Sequence, residues 1–399
     1  MSRRFGPVRS YVNGREGATL IKNELAKEID YDLLDNPAQI ELDKFKEIIS
    51  GIVDRKKMLD QYVHIVEFHQ SKFLEKQKIE FDIQKIRFFV VNGDFENAVQ
   101  LIDKHKDTYR QYSTETQYFW FKHLGNYYYS QGKYPDALDC YLEADKNYAY
   151  SLPPLEEGDI CYVISMAANH CWEPDLSLKY AYRALEIYQR EFIPRRIAEC
   201  HVNLGITQLK LRNFKTAIDH NLTAQKTGAE TNSPHLKFAT EYNCGYIYFQ
   251  FQNYEKSIEH IMNSLKATPD EYAISKLKSI ITLIKAYLEL NDMQSVFKWM
   301  YNANNLISDV EIDKNTHRDT YEAYIELKIL ENYSKKDFEA YENLFFSDLM
   351  PIMIEGNHLY ELGYYYNHIG QFYVSQERFE EASKMLLESS KYIKQLLTL

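Results

Sequence analysis

A small residue that returns every forty positions is the strongest constraint on what this chain can fold into. Gly125, Ser165, Gly205 and Gly245 stand forty apart. The unit around each keeps two more small residues, twelve and nineteen positions on: Ala137 and Ala144, Ser177 and Ala184, Ala217 and Ala224, Ser257 and Ser264. Gly370, Ala382 and Ser389 repeat the pattern near the C-terminus. A sheet has no reason to keep such offsets, because its faces alternate every two residues. The paired helices of a hairpin do, since glycine, alanine or serine at their crossing lets the backbones meet. The spacing predicts hairpins with turns near Gly93, Gly132, Pro174, Asn213, Asn253, Asn291 and Gln376.

The clearest unit, Tyr118–Tyr148, carries Leu124-Gly125-x-x-Tyr128 followed by Ala137 and Ala144. This order resembles the tetratricopeptide repeat, a helix-turn-helix unit that stacks into a solenoid. The resemblance implies an all-α, right-handed superhelix of tetratricopeptide-like helical hairpins with a concave groove. A period near forty, against about 34 for the usual repeat, calls for longer helices or loops. Residues 1–40 form a separate N-terminal segment that Asn36-Pro37 closes, 41–78 a helical connector without the repeat signature, and 79–399 the repeat domain. Within that domain the segment Asp309–Asn357 keeps helical spacing in poor register and reads as one degenerate pair.

Composition narrows the function. The net charge of −11 argues against a chain that binds nucleic acid over its whole surface, which takes clustered Lys and Arg. Five cysteines, an odd number placed in helical segments, suit reduced thiols in a cytosol. No run long enough to cross a bilayer and no charged-then-apolar leader occurs, so the expectation is a soluble, cytoplasmic protein with no membrane partner. Cys161, His170-Cys171 and Cys200-His201 lack the close pairing of structural zinc ligands. Phosphate-loop, nucleophile-elbow and metalloprotease motifs are missing as well. The chain is therefore expected to work by binding, without a catalytic residue, metal or cofactor.

Binding candidates lie on the first helix of each hairpin. With the small residue of a repeat set at zero and about 100° per residue, the position two before it falls away from the packed stripe. That position is Asn203 in one repeat and Asn243 in the next. The same arc holds Lys122, Asn126, Tyr162, Met166, Asn169, Ile206, Lys210, Tyr242, Tyr246 and Gln250. An asparagine amide offers an acceptor and two donors, which match the C=O and N–H of a peptide unit, so it can hold an extended backbone without reading its sequence.

Several stretches resemble a known family: Tyr134-Pro135-Asp136-Ala137-Leu138, Ala184-Leu185-Glu186-Ile187-Tyr188-Gln189 and Ala198-Glu199-Cys200-His201-Val202-Asn203-Leu204-Gly205. With the asparagines they resemble the intracellular peptide-pheromone receptors of Gram-positive bacteria, the Rap, NprR and PlcR proteins. The order Ser10-Tyr11-Val12-Asn13-Gly14, Glu24–Ile29, Asp32–Pro37 is similar to the second half of an Xre-type helix-turn-helix, without its first half. The resemblance implies a short signalling oligopeptide in the groove, held through Asn203 and Asn243. It also implies a homodimer, and an effector that is either promoter DNA or a response regulator, towards which some Rap proteins act as phosphatases. A general tetratricopeptide adaptor is the alternative: Lys122 and Asn126 resemble half of a carboxylate clamp, although Val163 stands where the next repeat of such a clamp has asparagine.

Overall fold

The computed structural model describes residues 36–51, 54–149, 151–231, 233–270, 272–309, 312 and 318–398. The segment resembling half of a helix-turn-helix lies outside them, apart from Asn36 and Pro37. Among the described residues every regular element is helical. The chain divides into two compact units at Tyr127/Tyr128.

The first unit opens with α1 (Pro37–Ile49). Asn36-Pro37 begins this helix: the Asn36 side chain accepts the Ala38 N–H, and Pro37 needs no donor at the first helical position. Leu42, Phe45 and Ile49 fall on one face and are buried with Met58 and Ile65 of α2 (Arg55–Phe68) and with Phe81 and Phe88 of α3 (Glu75–Asn92). Phe73 packs there too, from the short 3-10 connection after α2. Next come α4 (Phe95–His105) and the start of α5 (Thr114–Ser130).

In the second unit, α6 (Tyr134–Lys146) is followed by hairpins α7/α8 (Pro154–His170, Pro174–Arg190), α9/α10 (Pro194–Lys210, Phe214–Gly228), α11/α12 (Pro234–Gln250, Tyr254–Ala267) and α13/α14 (Ala273–Glu289, Met293–Leu306). Proline starts α7, α8, α9 and α11, where its fixed φ is ready for a helix and its missing N–H costs nothing. The expected turns are present within two residues. Each holds one left-handed residue, at Gly93, Gly132, Trp172, Arg212, Gln252, Asn291 or Glu377, with φ between 57° and 76°. The N–H that follows donates to the carbonyl five residues back at 2.9–3.0 Å, which ends the first helix in a Schellman motif.

The small residues lie where the hairpins cross. Ser177, Ala184, Ala217, Ala224, Ser257 and Ser264 are fully buried. A Cβ on Gly245 would meet Ile261 at 2.6 Å, and one on Gly370 would meet Leu386 at 2.7 Å. Segment Asp309–Asn357 does contain one irregular pair, α15 (Arg318–Lys335) against α16 (Phe338–Leu344) and α17 (Met350–Glu355). A π-turn over Phe345–Leu349 separates α16 from α17 just before Pro351, whose missing N–H disrupts the regular ladder. The unit closes with α18 (Leu359–Ser375) and α19 (Phe379–Thr398), which belong to the same core as α13–α17.

Candidate functional site

The inner helices α7, α9, α11 and α13 carry most of the expected binding residues, and the structure sorts these into two groups. Asn169 and Asn203 are buried, both 5% exposed. The Asn169 amide donates to Asn203 Oδ1 at 2.5 Å, and the Asn203 amide donates to the Ser165 hydroxyl. Thr207 Oγ1 donates to Asn169 Oδ1 at 3.0 Å, while Ser177 joins Thr207 at 2.9 Å and Ser165 at 3.3 Å. Asn203 thus leaves the open arc for a closed network between α7, α8 and α9. The geometric reason is that an inner helix packs on its hairpin partner and also on the inner helices before and after it, so much of the arc away from the partner is already covered. Lys122 and Asn126, in the first unit, are also buried rather than open, being 3% and 8% exposed.

The second group faces outward. Ile206 is exposed, and Tyr162, Met166, Lys210, Tyr242, Asn243, Tyr246 and Gln250 are half-buried. Tyr242 and Tyr246 stack along α11 with ring planes 12° apart, and the Tyr162 ring lies 5.1 Å from the Arg196 guanidinium. The Asn243 amide donates to Asn221 Oδ1 at 3.2 Å, and its own carbonyl oxygen has no partner among the described residues.

Local periodicity could not show what lies across from these residues. Helix α18 runs along the C-terminal ends of the inner helices. The Trp172 indole donates to the Gly356 carbonyl at 3.2 Å, Arg212 lies 5.6 Å from the Tyr360 ring, and Phe249 meets Tyr360 and Tyr364 at 6.4 and 5.8 Å. Further on, Lys285 lies over Tyr364 and Tyr365, and His368 reaches Glu289 at 3.2 Å. Asp319, Glu322 and Glu326 share one face of α15 and are paired with Lys278 at 3.2 Å, His358 at 2.9 Å and Lys285 at 2.6 Å.

Lys210 and Arg212 differ from those paired groups. Lys210 donates to the Asn169 carbonyl and lies 4.3 Å over the Trp172 ring. Arg212 donates to Gln250 Oε1 at 2.5 Å and lies 4.4 Å over Phe214. Neither has a carboxylate at ion-pair distance among the described residues. Burial pushes the Lys210 ammonium down to about 8 and lowers Arg212 as well. Both feel the charge of Glu361 on α18, whose carboxyl burial pushes up to about 7.

The tetratricopeptide repeat family matches residues 123–144. A transcriptional activator, NprA of Geobacillus stearothermophilus, is 24% identical over 79% of this chain and 78% of its own. Response regulator aspartate phosphatase I of Bacillus subtilis is 21% identical over 82% of this chain and 75% of its own. The crystal structure of NprR in complex with its cognate peptide NprX superposes with a TM-score of 0.67 at 17% identity, covering 90% of this chain and 100% of that one. The chain is an all-α protein of tetratricopeptide-like hairpins. Within that class it is a relative of the Rap/NprR proteins.

Proposed function

We propose that the chain is a receptor for a short signalling oligopeptide, bound along the inner helices of the second unit. The observation that carries this reading is Asn243, half-buried on α11 with Tyr242 and Tyr246, with an unused carbonyl oxygen where a peptide N–H can dock. Likeness to NprR, solved with its cognate peptide, supports it. Asn203 and Asn169 tie α7 to α9, and the half-buried group touches the ligand. Peptide occupancy changes the affinity for an effector, promoter DNA or a response regulator, a choice suggested by relatives named as a transcriptional activator and as a response regulator aspartate phosphatase. The receptor works in the cytoplasm as a homodimer.

Native mass spectrometry of the purified chain after incubation with a synthetic pool of random heptapeptides tests the reading. Retention of a peptide subset is expected, and N243A should weaken the best retained peptide about five- to 150-fold, the loss of roughly 1–3 kcal/mol of hydrogen bonding in a partly dry groove. Retention of nothing, or an N243A affinity equal to wild type, refutes it.

A further inference from the structure

Helix α2 is apolar on two sides and has a partner on one. Met58 and Ile65 are buried in the core of the first unit, with Tyr62 packed against it. About 100° further round the helix, Leu59, Val63 and Val66 stand at i, i+4 and i+7 and are 50%, 41% and 42% exposed. The outward faces of α1 and α4 instead carry charge, Asp43, Lys44 and Glu47 on one and Glu96, Asp103 and Lys104 on the other. Phe68, at the end of α2, and Leu74, in its connection to α3, are exposed as well. The chain enters the unit at this end: the Gln77 amide donates to Gln39 Oε1 and Gln77 Oε1 accepts the Leu74 N–H, both at 2.9 Å, which sets the start of α1 beside the connection.

We infer that residues 18–29, outside the described residues, cover this face of α2 and complete the first unit. Ala18, Ile21, Leu25 and Ile29 recur at three- and four-residue intervals, as Leu59, Val63 and Val66 do, so apolar layers about 5–6 Å apart along two helices meet in register. The stretch cannot simply prolong α1. Asn36 is extended, at φ −79° and ψ 111°, because Pro37 disfavours helical backbone before it. Residues 30–35 can then reach back by up to about 20 Å. So short a tether holds the stretch beside α2 at an effective concentration of roughly millimolar order, above that of a second copy or a partner in dilute solution. The chain's own segment is therefore the occupant. The part of it that resembles half of a helix-turn-helix then belongs to the scaffold, and this holds independently of the peptide-receptor reading.

Hydrogen exchange of the full chain, read by mass spectrometry, tests the inference. The amides of residues 18–29 should exchange at least about tenfold more slowly in the wild type than in V63D, which puts a charge in the middle of the outer face, or in L25D, which puts one on the segment. Both variants should keep the protection of α3 and, by light scattering, the molar mass of the wild type. Wild-type exchange over residues 18–29 as fast as in an unstructured peptide overturns the inference, and so does protection there that survives either variant. Should V63D loosen α3 too, L25D alone decides, because position 25 lies outside the core shared by α1, α2 and α3. A molar mass that falls in V63D and not in L25D gives the face to a second copy of the chain, which overturns the inference as well.

Discussion

The step from α7/α8 to α9 and the step from α9/α10 to α11 share one spacing and are filled with different chemistry. At the first, Ser165, Asn169, Ser177, Asn203 and Thr207 close a buried polar network. Forty residues on, the same positions are Gly205, Leu209, Ala217, Asn243 and Ile247. Only the asparagine is kept. Its partner there is Asn221, which reaches Asn243 through space that Gly205 leaves empty, since a Cβ on Gly205 would collide with the Asn221 amide. The difference teaches that the crossing of the helices dictates the spacing, while the residues filling it decide what an asparagine can do. Asn203 has both ends of its amide committed, and Asn243 keeps an acceptor for a ligand.

The sharpest way to break that comparison is to truncate both asparagines and measure unfolding in denaturant. N203A takes the short bond from the Asn169 amide and from the Ser165 hydroxyl in a dry interface and leaves each one longer bond of 3.3 Å, to the Asn203 carbonyl and to Ser177, which should cost about 1–3 kcal/mol. N243A, at a half-buried site with one bond, should cost about 1 kcal/mol or less. Equal losses would mean that the two steps are energetically alike. G205A comes next: the added methyl must push Asn221 aside, for about 1–3 kcal/mol, and should weaken peptide binding at Asn243 in parallel. A stable G205A chain with unchanged binding would show that Asn221 does not position Asn243.

Much of this was legible beforehand, for identifiable reasons. The forty-residue return of Gly205, Gly245 and their partners reports backbone crossings, which only small residues permit, so hairpins, turns and crossings could all be read from it. Burial of Asn203 could not, because an angular plot of one helix omits its neighbours along the stack. Ser165 and Thr207, polar at crossing positions, were the available hint of a buried network. The placement of α18 across Arg212 and Phe249, and of the turn before it against Trp172, joins residues far apart in sequence, up to the 184 positions between Trp172 and Gly356, and no local pattern encodes it.

Acidity separates the network from the charged end of the groove. The network holds no titratable group, so the cost of N203A should be equal at pH 5 and pH 8. Glu361 behaves otherwise. Its folded pKa, about 7, lies above its ordinary value of 4.5 because burial disfavours the anion. The folded chain holds that proton more tightly than the unfolded one, so the stability it contributes is fully present below 4.5 and is lost as pH rises through 7. E361Q, which keeps a neutral group there, should therefore gain on the order of 1 kcal/mol on wild type between pH 5 and pH 8. Parallel stability curves for the two proteins would place Glu361 in water.

The smallest effects concern the turns that end the inner helices, and they sharpen the contrast between scaffold and site. Trp172, Arg212 and Gln252 occupy the same left-handed position, at φ 58°, 60° and 59°. A side chain there costs about 1–2 kcal/mol relative to right-handed backbone, a penalty glycine avoids, although glycine gives part of the gain back through its freer unfolded chain. Gln252 is exposed, so Q252G should stabilise by roughly 0.5–1 kcal/mol. W172G relieves the same backbone but removes the indole that donates to Gly356 and underlies Lys210, and its net change should be zero or a loss. Thermal melts of the two variants decide the matter. An equal gain in both would reduce Trp172 to a turn residue, whereas a gain in Q252G alone would show the tryptophan holding α7 to the approach of α18 at the expense of its own backbone.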